Sequence, residues 1–400
     1  MGIGTPGALS PVRGGDRVVA LDVVRGFAIL GILLVNIEIF SQGLTFGGRP
    51  QSPAPDLFAS ALVQVFASGK FISTLAFLFG LGFTFQGMRA EARERSPTRL
   101  LVRRIAVLGL FGLAHAILIW SGDILLTYTL MALVLLLFRR QSPRTLLTWA
   151  GCILGAWVLI LMVGVVFTAL AGPEVAAEAG AAAIPAIDAF AEQARAAYTS
   201  GSYPQMVAQR LRELVSAAFA MFFVGWFVFP MMLAGAAVAR AGWLADLEAH
   251  RPALRRAAVI GLGAGLPLNI AYAAFSAMDP GGVGPFALAG LACWSTGAPA
   301  LSIGYMASVT LFTLSRPGST IAARLAAVGR LALTNYLAQS IVMTAIFYGL
   351  GLYGRIGLVP SLGIAVAFLA LQVYASPRYL ARFSAGPAES LWRRLTYGSR

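Results

Sequence analysis

Apolar runs of about 20 residues recur along this chain, with arginines crowded into the short gaps between them. That pattern leaves one architecture open: a bundle of membrane-crossing helices, whose backbone groups are satisfied within each helix. Of 400 residues, 58% are hydrophobic and 12% charged, against about 25% charged in soluble domains. The fold class is therefore read as all-α, one polytopic transmembrane domain over residues 1–400.

Ten spans are predicted, at Ala20–Ser41, Phe58–Met88, Ile105–Trp120, Ile124–Phe138, Leu146–Leu170, Leu214–Val238, Ala257–Phe275, Phe286–Leu314, Leu325–Leu350 and Ile356–Tyr374. With both termini cytoplasmic, this number puts the loop Arg89–Arg104, with six arginines and two glutamates, on the cytoplasmic side together with Arg139, Arg140, Arg240, Arg255 and Arg316. The net charge of +14 is thus topology rather than a nucleic-acid footprint. Residues 1–17 read as a cytoplasmic tail, 42–55 as an external loop, and 171–212 as an external region with a helix-prone, Ala-rich stretch. The first span has no small-residue cleavage site and is expected to be retained. Residues 384–400 read as an interfacial helix on the cytoplasmic leaflet, with Trp392 and Tyr397 set among arginines.

Polar residues inside apolar spans need a reason, because a charge at the bilayer centre costs at least about 2.5 kcal/mol. The first span carries Asp22, Arg25, Asn36 and Glu38. Asp22 lies three residues before Arg25, close enough to pair with it. Arg25 and Asn36 are eleven residues apart, which is three turns plus roughly 20° and a rise of about 16 Å, so both are expected on one face. His115 is the histidine set in an apolar span, with Asp123 eight residues on in the tight turn Ser121-Gly122-Asp123; a carboxylate in reach would orient the imidazole as a general base. The ninth span carries Arg330, Asn335, Tyr336 and Gln339, a broad polar surface that either binds another helix or lines a pocket. Lys70 is the sole lysine. Cys152 and Cys293 lie in apolar runs, and no HExxH, P-loop or paired Cys/His set is present, so neither a metal nor a nucleotide motif is read. Small-residue stripes at Gly109 and Gly112, and at Gly261, Gly263 and Gly265, permit close helix packing within one chain or in a homodimer.

The ordered set LDVVRGFAILGILLVNI, FLFGLGF, GLAHAILIWSGDILLTY, GRLALTNYLAQS and GPAESLWRRLTYG resembles the YeiB-like family of bacterial inner-membrane proteins over nearly the whole chain. The first helix of that family is similar to those of the heparan-alpha-glucosaminide N-acetyltransferase and acyltransferase-3 groups. The resemblance implies an inner-membrane protein that moves an acyl group from cytoplasmic acyl-CoA to a sugar-like or small hydroxyl or amine acceptor. The acyltransferase-3 group pairs an arginine with a histidine eleven residues later; here Arg25 matches and Asn36 stands in the histidine's place. The heparan enzyme has the asparagine but puts its histidine in the following loop, where this chain has Gly47.

The expected mechanism gives His115 the acceptor proton, has Asp123 orient it, and has Asn36 polarise the acyl carbonyl. Substrate contacts are expected from Asp22, Arg25, Glu38, Arg330, Asn335, Tyr336 and Gln339, with Arg25 on a CoA phosphate. The other readings are a transporter or exporter of a small molecule or lipid, with Arg25, Asn335 and Gln339 lining its path, and a non-catalytic protein that binds lipid or a partner. In all three the lipid bilayer is the surrounding partner.

Overall fold

The computed structural model describes residues 18–43, 52–92, 96–279, 282 and 284–398. The tail 1–17, Gly47 and most of the 42–55 loop lie outside the described residues. Among those described there are fourteen α-helices and no strand. They are α1 (Val19–Gln42), α2 (Ala54–Phe66), α3 (Lys70–Glu91), α4 (Pro97–Leu118), α5 (Leu125–Leu135), α6 (Pro143–Ala171), α7 (Pro173–Ser200), α8 (Tyr203–Arg240), α9 (Arg251–Met278), α10 (Pro285–Ser315), α11 (Thr320–Arg330), α12 (Ala332–Thr344), α13 (Leu358–Arg382) and α14 (Pro387–Tyr397). Many begin with proline in the first turn, where its missing N–H costs nothing, behind a serine or glycine cap. At Ser202 the cap is reciprocal, Gln205 reaching back to the Ser202 N–H at 2.7 Å.

Eight helical stretches among the described residues are long and apolar enough to cross a membrane, one of them α2 and α3 taken together. Two of the ten predicted spans differ from that pattern. The ninth is broken at Leu331, where α11 and α12 meet at 78°. The fourth is the eleven residues of α5 and a three-residue 3-10 turn, Leu136–Phe138. It rises about 20 Å, short of a hydrocarbon core of about 30 Å. The predicted external region holds more helix than its composition suggested: α7 runs 28 residues, and α8, at 38 residues, starts well before its apolar part at Phe223.

Glycines set the closest crossings. A Cβ on Gly26 of α1 would run into the Leu325 carbonyl of α11, and one on Gly329 into the Asp22 carbonyl of α1. Gly80 on α3 and Gly235 on α8 stand in the same relation to Met232 and Phe77. Gly261 and Gly265 of α9 meet α10, whereas Gly263 faces open space. Gly109 and Gly112 of α4 face α5, Gly112 so closely that a Cβ would sit 2.9 Å from an Asp123 carboxylate oxygen. At Gly26, Gly329, Gly80, Gly235, Gly261 and Gly265 the small residue lets two backbones approach, the usual route to tight packing where no hydrophobic driving force separates helix from lipid.

A polar knot ties α12 into the core. The Gln339 side-chain amide donates to the Ile29 carbonyl at 3.1 Å and to Gln372 of α13 at 2.9 Å. Gln372 in turn donates to the Asn335 backbone and side chain at 2.9 and 3.2 Å. Beyond Thr344 the helix loosens into a π turn at Ala345–Gly349 that buries Phe347 and Tyr348. Lys70, at the start of α3, is fully buried and donates to the Gln64 carbonyl at 2.6 Å.

Candidate functional site

The site is built where the glycine crossing of α1 and α11 and the break at Leu331 leave a gap against α3, α4 and α14. A cavity of about 470 Å³ fills it. Five arginines line it, Arg25, Arg89, Arg104, Arg330 and Arg393, and Arg89 in the last turn of α3 with Arg104 in the first half of α4 marks its arginine end. Its walls are apolar, including Leu75, Phe79, Ile105 and Leu108. Toward the other end of α4 it is lined by Ile124, Leu125, Tyr128 and Tyr336, the last bonded to the Ile124 N–H and to Asp123.

Two carboxylates moderate the cationic end. Asp22 bonds Arg25 at 3.0 Å, the pairing expected from their spacing. Glu389 of α14 accepts the Leu333 and Thr334 N–H groups at 2.8 and 3.1 Å, and the Thr334 hydroxyl as well. It thereby caps α12 at the break, satisfying donors that the missing preceding turn leaves open. Replacing Glu389 with Ala should cost about 0.5–2 kcal/mol, the range for a lost N-cap, read as a lowered unfolding temperature. An unchanged temperature would show that the cap is dispensable. α14 is helical as predicted, and beyond lying at a surface it docks on α4 and α12. Arg104 lies 4.0 Å over the Trp392 ring and donates to the Tyr397 hydroxyl at 3.0 Å, while Arg103 donates to the Leu395 carbonyl at 2.9 Å. Two polar groups of cavity-lining residues, the Gln86 amide oxygen and the Trp392 indole N–H, are buried with no hydrogen-bond partner among the described residues.

Against Tyr336 stand His115 and Asp123. The His115 Nδ1 lies 2.8 Å from the Asp123 Oδ2, and both side chains are almost completely buried. Tyr336, which lines the cavity, contacts His115 ring to ring at 5.2 Å and donates to the Asp123 Oδ2 at 3.5 Å. The other carboxylate oxygen of Asp123 accepts the Leu126 N–H at 2.8 Å, which fixes the start of α5. An ionised carboxylate only accepts, so this pairing puts the imidazole proton on Nδ1 and leaves the lone pair on Nε2. That Nε2 is buried and has no hydrogen-bond partner among the described residues.

Of the residues singled out in the sequence, the structure gathers Asp22, Arg25, Arg330 and Tyr336 on the cavity and His115 with Asp123 behind it. Asn36 and Glu38 do not line it, although Asn36 was expected on the Arg25 face. Glu38 instead accepts the Ser60 hydroxyl of α2 at 3.1 Å. Asn335 and Gln339 belong to the polar knot and are likewise absent from the lining. Among the described residues no group of three or more His, Cys, Asp or Glu side chains is placed to hold a metal. Glu389, Gln86 and Trp392 were not read as site residues; the signal available for Glu389 was an acid in the first turn of a terminal helix, which looks the same when it serves its own helix.

Residues 238–399, from the end of α8 through α14, match the family model described as "Protein of unknown function (DUF418)". The uncharacterized protein YxaH of Bacillus subtilis (strain 168) is 35% identical over 98% of this chain and 96% of its own length. The chain belongs to the DUF418 family. A second relative, the uncharacterized protein YeiB of Escherichia coli (strain K12), is 29% identical over 95% of this chain and 96% of its own length, in keeping with the YeiB-like resemblance. No solved structure matches the chain. The DUF418 match takes in Arg330, Tyr336, Glu389 and Trp392; Arg25, Arg104, His115 and Asp123 fall outside it but within the part aligned with the full-length relatives. The site is therefore shared between both halves of a polytopic membrane protein.

Proposed function

We propose that this protein is a membrane acyltransferase that takes its acyl group from acyl-CoA at the arginine end, read as cytoplasmic in a bacterial inner membrane. The observation that carries the reading is one cavity lined by five arginines and by apolar walls, with the lining residue Tyr336 hydrogen-bonded to Asp123 of a buried His115–Asp123 pair. Planar guanidinium groups suit bidentate phosphate contacts, so the nucleotide end of acyl-CoA belongs among Arg25, Arg330 and Arg393, and its pantetheine arm extends along the apolar walls. An acceptor hydroxyl or amine, on a sugar-like or other small molecule, attacks the thioester carbon while the His115 Nε2 takes its proton. The carbon–sulfur bond breaks, and the leaving CoA thiolate takes the proton from the His115 imidazolium, which returns the imidazole to its neutral form. Asp123 holds the imidazole in the required tautomer and stabilises the imidazolium. Asn36 lies away from the cavity, and the Tyr336 O–H, which donates to Asp123 in this structure, would have to turn from that carboxylate to serve the developing oxyanion.

The deciding experiment is thermal unfolding of the detergent-purified protein with acyl-CoAs of several chain lengths, repeated for Arg25→Ala and Arg393→Ala. At 100 times its dissociation constant a ligand adds about 2.7 kcal/mol of stability, a readily measured rise in unfolding temperature. Stabilisation of the wild type that both variants lose supports the assignment; no response to any acyl-CoA overturns it.

One feature favours a transporter as the second reading. The 78° break between α11 and α12 places a helix end and Arg330 against the cavity, as the discontinuous helices of transporters do at their binding sites. Counterflow of a labelled substrate in proteoliposomes lacking CoA would favour it.

A further inference from the structure

The turn that carries Asp123 is held from the side opposite the cavity by charged groups that the proposed reaction does not use. α4 ends at Leu118, and the Leu118 carbonyl accepts two hydrogen bonds from α8: Arg210 Nη1 at 2.8 Å and the Tyr203 hydroxyl at 2.9 Å. Three residues on, the Ser121 hydroxyl donates to the Glu213 carboxylate. Glu213 also accepts the Tyr198 hydroxyl of α7 at 2.7 Å and the Gln209 side-chain amide at 3.2 Å. Gly122 follows, where a Cβ would run into the Trp120 ring, itself stacked on Phe40 of α1 at 4.1 Å. Asp123 comes next, with its carboxylate on His115.

Arg210 is 1% exposed and Glu213 6%. Burying two charges costs several kcal/mol per ion unless hydrogen bonds satisfy them. Here Arg210 bonds one end of the turn and Glu213 its middle. Burial, then the neighbouring Tyr348 and Glu213, push the Tyr198 phenol far above its ordinary value, so it remains a donor to the carboxylate. The Ile119 carbonyl is met by the Thr344 hydroxyl at 3.4 Å, just before the π turn. The six-residue stretch from Leu118 to Asp123 is thus pinned at three points by α8 and α12 and is left little freedom to carry Asp123 away from His115.

We propose that Glu213 is a positioning residue which, through Ser121, holds the Asp123 carboxylate on the His115 Nδ1, with Arg210 fixing the other end of the turn. The inference rests on the reading of His115 and Asp123 as the reacting pair, but its test needs neither acyl-CoA nor acceptor. The chain has two histidines, so ¹⁵N-histidine labelling of an H250Q background leaves the His115 imidazole as the labelled ring. An Nδ1–H bonded to a carboxylate gives a downfield, slowly exchanging proton signal, and Asp123→Asn serves as the reference for its disturbance. In Ser121→Ala and Glu213→Gln that proton should exchange about tenfold faster, the effect of losing one hydrogen bond behind the turn. Arg240→Gln, on α8 but far from the turn, should leave it unchanged.

A signal unaltered in both variants, while Asp123→Asn changes it, overturns the proposal, and so does a wild-type protein that shows no such signal. If Glu213→Gln does not fold, Ser121→Ala decides alone, since it removes a single hydroxyl. A bond sensitive to Ser121→Ala in a protein that never transfers an acyl group would sink the acyltransferase reading and leave this one standing.

Discussion

Replacing His115 with Ala is expected to lower acyl transfer by about 10²–10⁴-fold, the usual contribution of a positioned general base. The imidazole is buried, paired with Asp123 at 2.8 Å, and has its second nitrogen unengaged among the described residues, which leaves it placed to take the proton. The fold should persist, because Asp123 keeps its bond to the Leu126 N–H and continues to fix the start of α5. Binding should persist as well: the arginine end lies about 16 Å from His115 along α4, judged from the eleven residues that separate Arg104 from it. The expected result is therefore a variant that acyl-CoA still stabilises against heat but that has lost turnover. Turnover within a factor of two of the wild type would remove His115 from the mechanism.

Gly26→Val should be strongly destabilising. Overpacking in a well-packed interior typically costs 1–3 kcal/mol and occasionally more. At Gly26 the obstacle is the Leu325 carbonyl, part of a helix backbone with no rotamer to change, so a loss of at least about 3 kcal/mol is expected. The consequence reaches the cavity, since Arg25 follows α1 and Arg330 follows α11 as they separate. Gly26→Val should lower the unfolding temperature and weaken acyl-CoA stabilisation together. Gly82→Ala is the control: a Cβ there meets nothing, and Ala is the better helix former. Equal effects of the two substitutions would show that the α1–α11 crossing is not a close contact.

What the sequence disclosed followed from polarity out of place. His115 and Asp123 were legible because a histidine in an apolar run and an acid in a three-residue turn can meet over eight positions of chain, and Asp22 with Arg25 because a helix brings them together by itself. Periodicity was less informative where it named a face without naming what lies opposite. Arg25 and Asn36 share a face by count, yet of the two only Arg25 lines the cavity. Asn335 and Gln339 face α13 and α1, whose partner atoms come from Gln372 and Ile29 far along the chain. The break at Leu331 carries no proline, and its cap comes from Glu389, 56 residues after Leu333, so nothing local announces it. Glu213 was hidden for a similar reason: in a mixed-charge segment it resembles a solvated acid until α7 and the Ser121 turn close over it.

The buried Lys70 has a consequence for how such a protein can be controlled. With the chain's sole lysine amine fully enclosed against the Gln64 carbonyl, the folded surface offers nothing to lysine acetylation, and every side-chain cation around the cavity is a guanidinium. Guanidinium groups keep their charge across the whole physiological range. The cationic contribution to anion binding is consequently fixed by arginine alone, and lysine modification has no part in setting it.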